Sequence, residues 1–157
     1  MGTTRPIRIV GVGSPHGDDA VGWRLAERLQ VRADRPAEVI AVTADRLLDH
    51  LHPDYDFVLI DACVAEASPG TIARCVWPDP RMAADRHNST HGFGVPESLR
   101  MAEALGRLAG RVVVFAVVIA KAAPNDSLTA AVAAALPELE RLVVEEVRQW
   151  REQKKEH

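Results

Sequence analysis

The segment of residues 7–23, IRIVGVGSPHGDDAVGW, constrains the fold more than any other part of the chain. Its first part, Ile7 to Val12, is apolar and rich in β-branched residues, and glycine, serine and proline follow it. Two adjacent aspartates, Asp18 and Asp19, then precede a helical pattern, so the segment predicts a strand, a sharp loop and a helix. One aspartate is explained as a helix N-cap, whereas two exceed what capping requires. Loops after the carboxyl ends of parallel strands are also where ligands bind.

Further apolar runs predict the rest of a sheet. The predicted strands lie near residues 7–13, 38–43, 56–63, 71–77 and 111–119. The connection between the third and fourth strands is too short for a crossover helix, so we expect this pair to be antiparallel. The sequence therefore predicts an α/β fold: a three-layer αβα sandwich with a twisted, mostly parallel five-stranded sheet and one antiparallel strand. The length fits a single domain over residues 1–157.

Helical periodicity alternates with these strands. The predicted helices cover residues 20–30, 46–51, 96–108 and 128–150. Pro137 is expected to restart or kink the last helix, because proline lacks the N–H group that a helix interior requires. Residues 78–94 show no periodicity and predict a long loop, which in a compact domain is usually functional or mobile. The charged tail after Trp150 is expected to fray into solvent.

Composition excludes several classes of function. The net charge of −3 argues against a broad basic surface for nucleic acid, and no apolar run is long enough to cross a membrane. The N-terminus lacks the apolar stretch of a secretory signal, so we expect a cytoplasmic protein; we also expect a monomer. The two cysteines, Cys63 and Cys75, lie in apolar strand patterns and are expected to be buried free thiols rather than a disulfide or a metal pair.

The strongest strand pattern contains one unexpected charge, Asp61. The surrounding sequence, DFVLIDACV, is almost uninterrupted apolar, as in a strand covered on both faces. An ionised aspartate buried there without a partner would cost several kcal/mol. Asp61 therefore either caps the loop at the end of its strand, or lies at the carboxyl edge of the sheet beside Asp18 and Asp19 with a functional role.

The long loop contains two histidines, His87 and His91. Glycines on both sides of Phe93 indicate a close backbone approach beside His91. Taken singly, His91 is explained by a hydrogen bond to a backbone carbonyl. Together with a carboxylate of the first loop and Asp61, it supplies two oxygen donors and one imidazole, a set that binds a divalent transition metal and leaves positions open for substrate or water. His16, in the first loop, competes as a ligand.

Two other kinds of site fit less well. The glycines of GVGSPHG resemble a dinucleotide-binding fingerprint, but His16 stands where the third glycine belongs. Asp18 and Asp19 would also repel a pyrophosphate at the helix N-terminus. Ser14 lacks the G-x-S-x-G context of a nucleophile elbow, and a Cys63 thiolate would be disfavoured in its apolar strand. The lack of an activated nucleophile favours metal-assisted chemistry.

Three segments resemble the conserved blocks of the hydrogenase maturation endopeptidases. They are GVGSPHGDDAVGWRLAERL, DFVLIDACVAEASPGTI and STHGFGVPESLRMAEAL, in the expected order and at fitting spacings. In that family the first block is a glycine-rich strand and loop with paired acidic residues. The second block is a buried strand ending in aspartate, and the third carries a histidine. The resemblance extends from Ile7 to Leu136 and implies a twisted five-stranded sheet between helices.

The resemblance also implies a function. Enzymes of this kind are aspartyl-type, metal-dependent endopeptidases that remove the C-terminal extension of the nickel–iron hydrogenase large-subunit precursor after nickel insertion. By motif, the catalytic residues and metal ligands map to Asp19, Asp61 and His91. The implied cofactor is a divalent metal, nickel, either resident or supplied by the substrate, and the implied partner is the precursor protein. Asp18 would then cap the helix or orient Asp19.

Departures from the family pattern keep two alternatives open. Ser14 replaces a usual asparagine, Ala20 replaces a common glycine, and the first loop is slightly short. The segment VTADRLLDHL differs from the segment that the family uses for substrate or metal recognition. One alternative is a non-cleaving, chaperone-like homologue that binds a metal-loaded precursor. The other is a metallopeptidase that acts on another substrate.

Overall fold

Five strands form one sheet in the computed structural model, which describes residues 4–84, 94–120 and 127–155. The strands are β1 (Ile7–Val12), β2 (Glu38–Val42), β3 (Asp56–Cys63), β4 (Ile72–Val76) and β5 (Val112–Val118). Their order across the sheet is β2-β1-β3-β5-β4, and every neighbouring pair is parallel except β4 and β5. All five predicted strands are confirmed, since each end agrees to within one residue.

The antiparallel strand is confirmed, but its predicted partner is wrong. β4 pairs with β5, with Cys75 opposite Val114, and β5 separates it from β3. The connection of residues 64–71 can extend to about 26 Å, while two strand spacings amount to only about 10 Å. A short connection therefore excludes a crossover helix without requiring that the two strands be neighbours.

Among the described residues, four α-helices and two short 3₁₀ helices surround the sheet. The α-helices are α1 (Val21–Gln30), α2 (Pro80–Ala84), α3 (Val95–Ala104) and α4 (Ala130–Lys155). The 3₁₀ helices are Gly17–Ala20, which leads into α1, and Ala44–His50, which follows β2. Within the described ranges, no helix is long and apolar enough to span a bilayer.

The helices correct the sequence-based boundaries in three places, and the first is α3, which ends at Ala104 rather than at residue 108. α2 lies inside the segment 78–94, where the sequence predicts a loop; it begins because Asp79 accepts a backbone N–H as an N-cap and proline occupies the first helical position. α4 passes through Pro137 without restarting and reaches Lys155, so the predicted fraying after Trp150 is wrong. Ion pairs of the Arg148 side chain three residues back and four residues ahead support these last turns.

The sheet lies between two helical layers with separate cores. Because side chains alternate along a strand, Ile9 and Ile60 pack in the core that includes α1 and α4. Val10 and Leu59 point the other way, into the core that includes α3 and the 3₁₀ helix after β2. Strands β1 and β5 are buried almost throughout, as expected for strands covered on both faces. The predicted three-layer αβα sandwich is confirmed.

The two cysteines are too distant in the sheet to be bonded to each other. Cys63 is opposite Val118 on β5 and Cys75 is opposite Val114, and no disulfide joins them. Cys75 is buried, as predicted, whereas Cys63 is half-buried at the end of β3.

Candidate active site

The carboxyl ends of β1 and β3 meet where the chain reverses its direction across the sheet. From β1 the chain moves outward to the edge strand β2 and then returns past β1 to β3. Ligands of open α/β sheets bind at such a switch point, outside the carboxyl ends of the strands. Asp19 lies in the 3₁₀ helix that follows β1, and Asp61 lies near the carboxyl end of β3. The structure thus brings two of the three predicted site residues to the position where the topology favours a ligand.

Glycines allow the turn that carries Asp19 to lie directly against the strand ends. A Cβ atom on Gly13 would lie 2.1 Å from the Asp19 carbonyl oxygen, and one on Gly22 would lie 2.9 Å from the Ile60 carbonyl oxygen. No larger residue fits at these distances, so the close backbone approach requires glycine. The Gly13 N–H also donates to the Val42 carbonyl oxygen over 3.0 Å, which fastens the loop to the end of β2. The glycine pattern therefore serves the packing of the turn and α1 against the sheet.

Asp61 is a half-buried carboxylate on the same side of β3 as Phe57 and Leu59. Burial, together with the negative charge of Asp19, raises the pKa of Asp61 to about 7. The Ala62 backbone N–H donates to the carboxylate and partly opposes this shift, because it favours the charged form. The two aspartates are therefore close enough for the charge of one to disfavour the charge of the other.

The Asp19 side chain is exposed to solvent. Its carboxylate forms no hydrogen bond or salt bridge with the residues of ranges 4–84, 94–120 and 127–155. The backbone is held instead, since the Ser14 N–H donates to the Asp19 carbonyl oxygen over 3.3 Å. A cation bound between Asp19 and Asp61 would remove their mutual repulsion, and carboxylate oxygens are common ligands of divalent metals. The donor set therefore fits a divalent metal.

The third predicted ligand, His91, lies outside the described residues. In the part of the chain that the structure describes, no three His, Cys, Asp or Glu side chains are arranged to hold a metal ion. The competing candidate, His16, is exposed in the loop after β1 and does not complete a triad with the two aspartates. In sequence, His91 is four residues before Val95, where α3 begins, and α3 covers the face of the sheet toward which Asp61 points.

Asp18 contacts a different helix from the one that the sequence predicts. The prediction that it caps its own helix is wrong, because neither the 3₁₀ helix Gly17–Ala20 nor α1 has a side-chain cap. The Asp18 carboxylate instead accepts hydrogen bonds from the N–H and the hydroxyl of Thr129, over 2.7 and 2.9 Å, just before α4. Thr129 is not among the residues predicted from the sequence, although threonine before a helical pattern is a common N-cap and this signal could have identified it. The adjacent aspartates thus have separate environments.

One protein-family model matches most of the chain. The HycI family model, described as hydrogenase maturation protease, matches residues 23–146. No curated protein sequence matches the chain significantly.

Three solved structures illustrate the similarity of the fold. The hydrogenase maturating endopeptidase HybD from Escherichia coli shares 23% sequence identity, with a TM-score of 0.74 over 93% of each chain. A hydrogenase 2 maturation peptidase from a Thaumarchaeota archaeon shares 25% identity, with a TM-score of 0.65 over 91% of this chain and 98% of that chain. The [NiFe] hydrogenase maturation protease HybD from Thermococcus kodakarensis shares 21% identity, with a TM-score of 0.73 over 92% of this chain and 99% of that chain. The predicted fold class is therefore confirmed by comparison as well.

Proposed function

The chain belongs to the hydrogenase maturation protease family, and we propose that it removes the C-terminal extension of a nickel–iron hydrogenase large-subunit precursor after nickel insertion. Membership of the family makes it a peptidase that processes a hydrogenase. One observation carries the finer proposal: Asp19 and Asp61 are paired at the switch point of the sheet, where burial and the Asp19 charge raise the pKa of Asp61 to about 7. Perturbed carboxylates in such a position are typical of functional sites.

We assign Asp19, Asp61 and His91 as metal ligands and catalytic residues. Two carboxylate oxygens and one imidazole suit nickel and leave coordination positions for water or a peptide carbonyl. Ligands of a resident metal are usually oriented by further hydrogen bonds, and the exposed Asp19 carboxylate has none with the described residues. The lack of an orienting hydrogen bond on Asp19 favours nickel that arrives with the precursor over nickel that the enzyme holds permanently.

The protonation of Asp61 determines when this site can receive a metal. Asp61 must lose its proton to act as a ligand, and its pKa of about 7 means that binding releases a proton at neutral pH. Asp19, Asp61 and His91 would hold the metal, which would supply polarisation of the scissile carbonyl or a lower pKa, towards about 7, for a bound water. Asp19 and Asp61 would anchor the loaded precursor at the open edge of the sheet. A precursor without nickel offers no such anchor, which makes processing depend on prior nickel insertion.

Incubation of the protein with nickel-loaded and nickel-free precursor, followed by intact-mass spectrometry, tests this function. We expect the nickel-loaded precursor to be shortened and the nickel-free precursor to stay intact. Stable co-purification without shortening would instead identify the chaperone-like binder. Cleavage of unrelated peptides but not of the precursor would identify a peptidase with another substrate. Both alternative outcomes need to be tested because the 3₁₀ helix Ala44–His50 departs in sequence from the family pattern. This helix follows β2 directly, and the end of β2 bonds to the site loop.

A further inference from the structure

We propose that Asp18 is a positioning residue: by binding Thr129, it fixes the 3₁₀ helix that carries Asp19 against the first turn of α4. The catalytic consequence of this inference rests on the proposed function. Both oxygens of the Asp18 carboxylate are engaged, since Oδ1 accepts the Thr129 N–H over 2.7 Å and Oδ2 accepts the Thr129 hydroxyl over 2.9 Å. The two residues are 111 positions apart in sequence, so the contact joins elements from opposite ends of the chain.

The contact supplies a helix cap to α4 from another part of the chain. In a capping box, the N–H of the N-cap residue is bound by an acidic side chain three residues ahead. That position after Thr129 is Val132, which has no acceptor. Asp18 takes the role instead, and its negative charge lies at the positive end of the helix dipole. The interaction therefore gives the Thr129 N–H at the start of α4 a hydrogen-bond partner, and it also holds the turn that contains Asp18.

The β3–β4 connection packs closely against the same turn of α4. Gly70 has a φ of +91°, and a Cβ atom on it would lie 2.7 Å from the Ala131 carbonyl oxygen. The Gly70 N–H donates to the Val118 carbonyl oxygen over 2.8 Å, at the carboxyl end of β5. The start of α4, which carries the partner of Asp18, therefore lies beside the carboxyl end of β5.

The Ser14 N–H holds the backbone of Asp19, but the Asp19 side chain has no hydrogen bond to the described residues. Of the four residues in its 3₁₀ helix, Asp18 is the one whose side chain bonds to another element among the described residues. Asp18 therefore contributes to the placement of Asp19 relative to Asp61, beside the backbone contacts of Gly13 and Ser14. This matters for catalysis because a misplacement of about 1 Å can lower a rate by roughly 100-fold.

Four variants separate positioning from a general effect on stability. Asp18→Ala removes both acceptors, Thr129→Val removes only the hydroxyl, and Thr129→Ser keeps both donors. The control, Glu140→Gln, weakens a different attachment of α4, the one that Glu140 makes to Arg28 and Arg32 on the α1 side.

Amide hydrogen exchange of the protein without substrate is the first measurement. The reporter is the Ser14 amide, which donates to the Asp19 carbonyl oxygen. Its exchange should be at least about tenfold faster in Asp18→Ala, because the variant loses hydrogen bonds to a charged group. It should rise less in Thr129→Val and not at all in Thr129→Ser or the control, while the Val10 amide in β1 stays unchanged. Equal Ser14 exchange in Asp18→Ala and wild type overturns the proposal. If Asp18→Ala does not fold, equal exchange in Thr129→Val and Thr129→Ser overturns it.

Cleavage kinetics with nickel-loaded precursor are the second measurement. Asp18→Ala should lower kcat by about 10-fold to 100-fold with little change in KM, because the surface that binds the precursor is untouched. Thr129→Ser should retain the wild-type kcat. An equal loss of kcat in Glu140→Gln, or an unchanged kcat in Asp18→Ala, contradicts a positioning role. A wild-type protein that does not cleave refutes the proposed function instead, and the exchange measurement then decides the positioning role alone.

Discussion

Replacement of Asp61 by asparagine should stabilise the protein at neutral and alkaline pH. Burial and the Asp19 charge raise the pKa of Asp61 from its ordinary 3.8 to about 7. Between these values the native protein holds a proton on Asp61 that the unfolded chain has already released. The free energy of unfolding of the wild type must therefore fall as the pH rises from about 4 to about 7.

The size of this effect follows from the difference in pKa. About three pKa units at 1.36 kcal/mol each correspond to about 4 kcal/mol. We expect about 2–4 kcal/mol, because a half-buried site relaxes and admits water. Asparagine is neutral at every pH and keeps an oxygen that accepts the Ala62 N–H. Asp61→Asn should therefore match the wild type near pH 4 and exceed it by this amount near pH 8.

Urea unfolding at a series of pH values, in buffers that contain a chelator, measures both stability curves. Glu66→Gln is the matched control, since Glu66 is an exposed carboxylate in the connection after β3. It should change the free energy of unfolding by less than about 0.5 kcal/mol at each pH. Parallel curves for wild type and Asp61→Asn across this pH range would refute the reasoning.

Two further predictions concern the stability of the helical layers. Arg74→Met leaves the carboxylate of Glu146, which is 6% exposed, without its ion-pair partner; we expect a loss of about 1–3 kcal/mol, below that of a fully buried pair because Arg74 is half-exposed. The control Arg141→Met removes an exposed ion pair on α4 and should lower the free energy of unfolding by less than about 1 kcal/mol. Equal losses of unfolding free energy for the two variants in urea would contradict the role of burial. Gly22→Ala would place a Cβ atom 2.9 Å from the Ile60 carbonyl oxygen, so overpacking should cost about 1–3 kcal/mol. An unchanged thermal midpoint would show that α1 moves away from the sheet without penalty.

The strands could be predicted because each is a short apolar run with its own local pattern. The segment 56–63 shows this best: its nearly continuous apolar character identified a central strand, and Asp61, the charge in its interior, identified a candidate site residue. The pairing of β4 with β5 could not be predicted in the same way. Loop length limits which elements a connection can contain, but it does not determine how many strands the chain passes over.

The contact between Asp18 and Thr129 was beyond sequence reasoning for a different reason. Each residue has a sufficient local explanation as the N-cap of its own helix, so neither pattern indicates a missing partner. Their 111-residue separation is closed only when β1 and β5 bring their carboxyl ends to one edge of the sheet. His91, chosen by family resemblance, lies outside the described residues and stays a prediction.

Processing of a nickel-loaded precursor by the two aspartate variants tests the central claim most directly. Wild type, Asp19→Asn, Asp61→Asn and the control Glu66→Gln would each be incubated with the precursor, and the intact mass of the large subunit followed over time. Circular dichroism would verify that each variant is folded. If Asp19 and Asp61 form the active site, the wild type and the control yield a shortened product. The precursor stays unchanged with Asp19→Asn and Asp61→Asn. Shortening at the wild-type rate by a folded Asp61→Asn variant would contradict the assignment of this site.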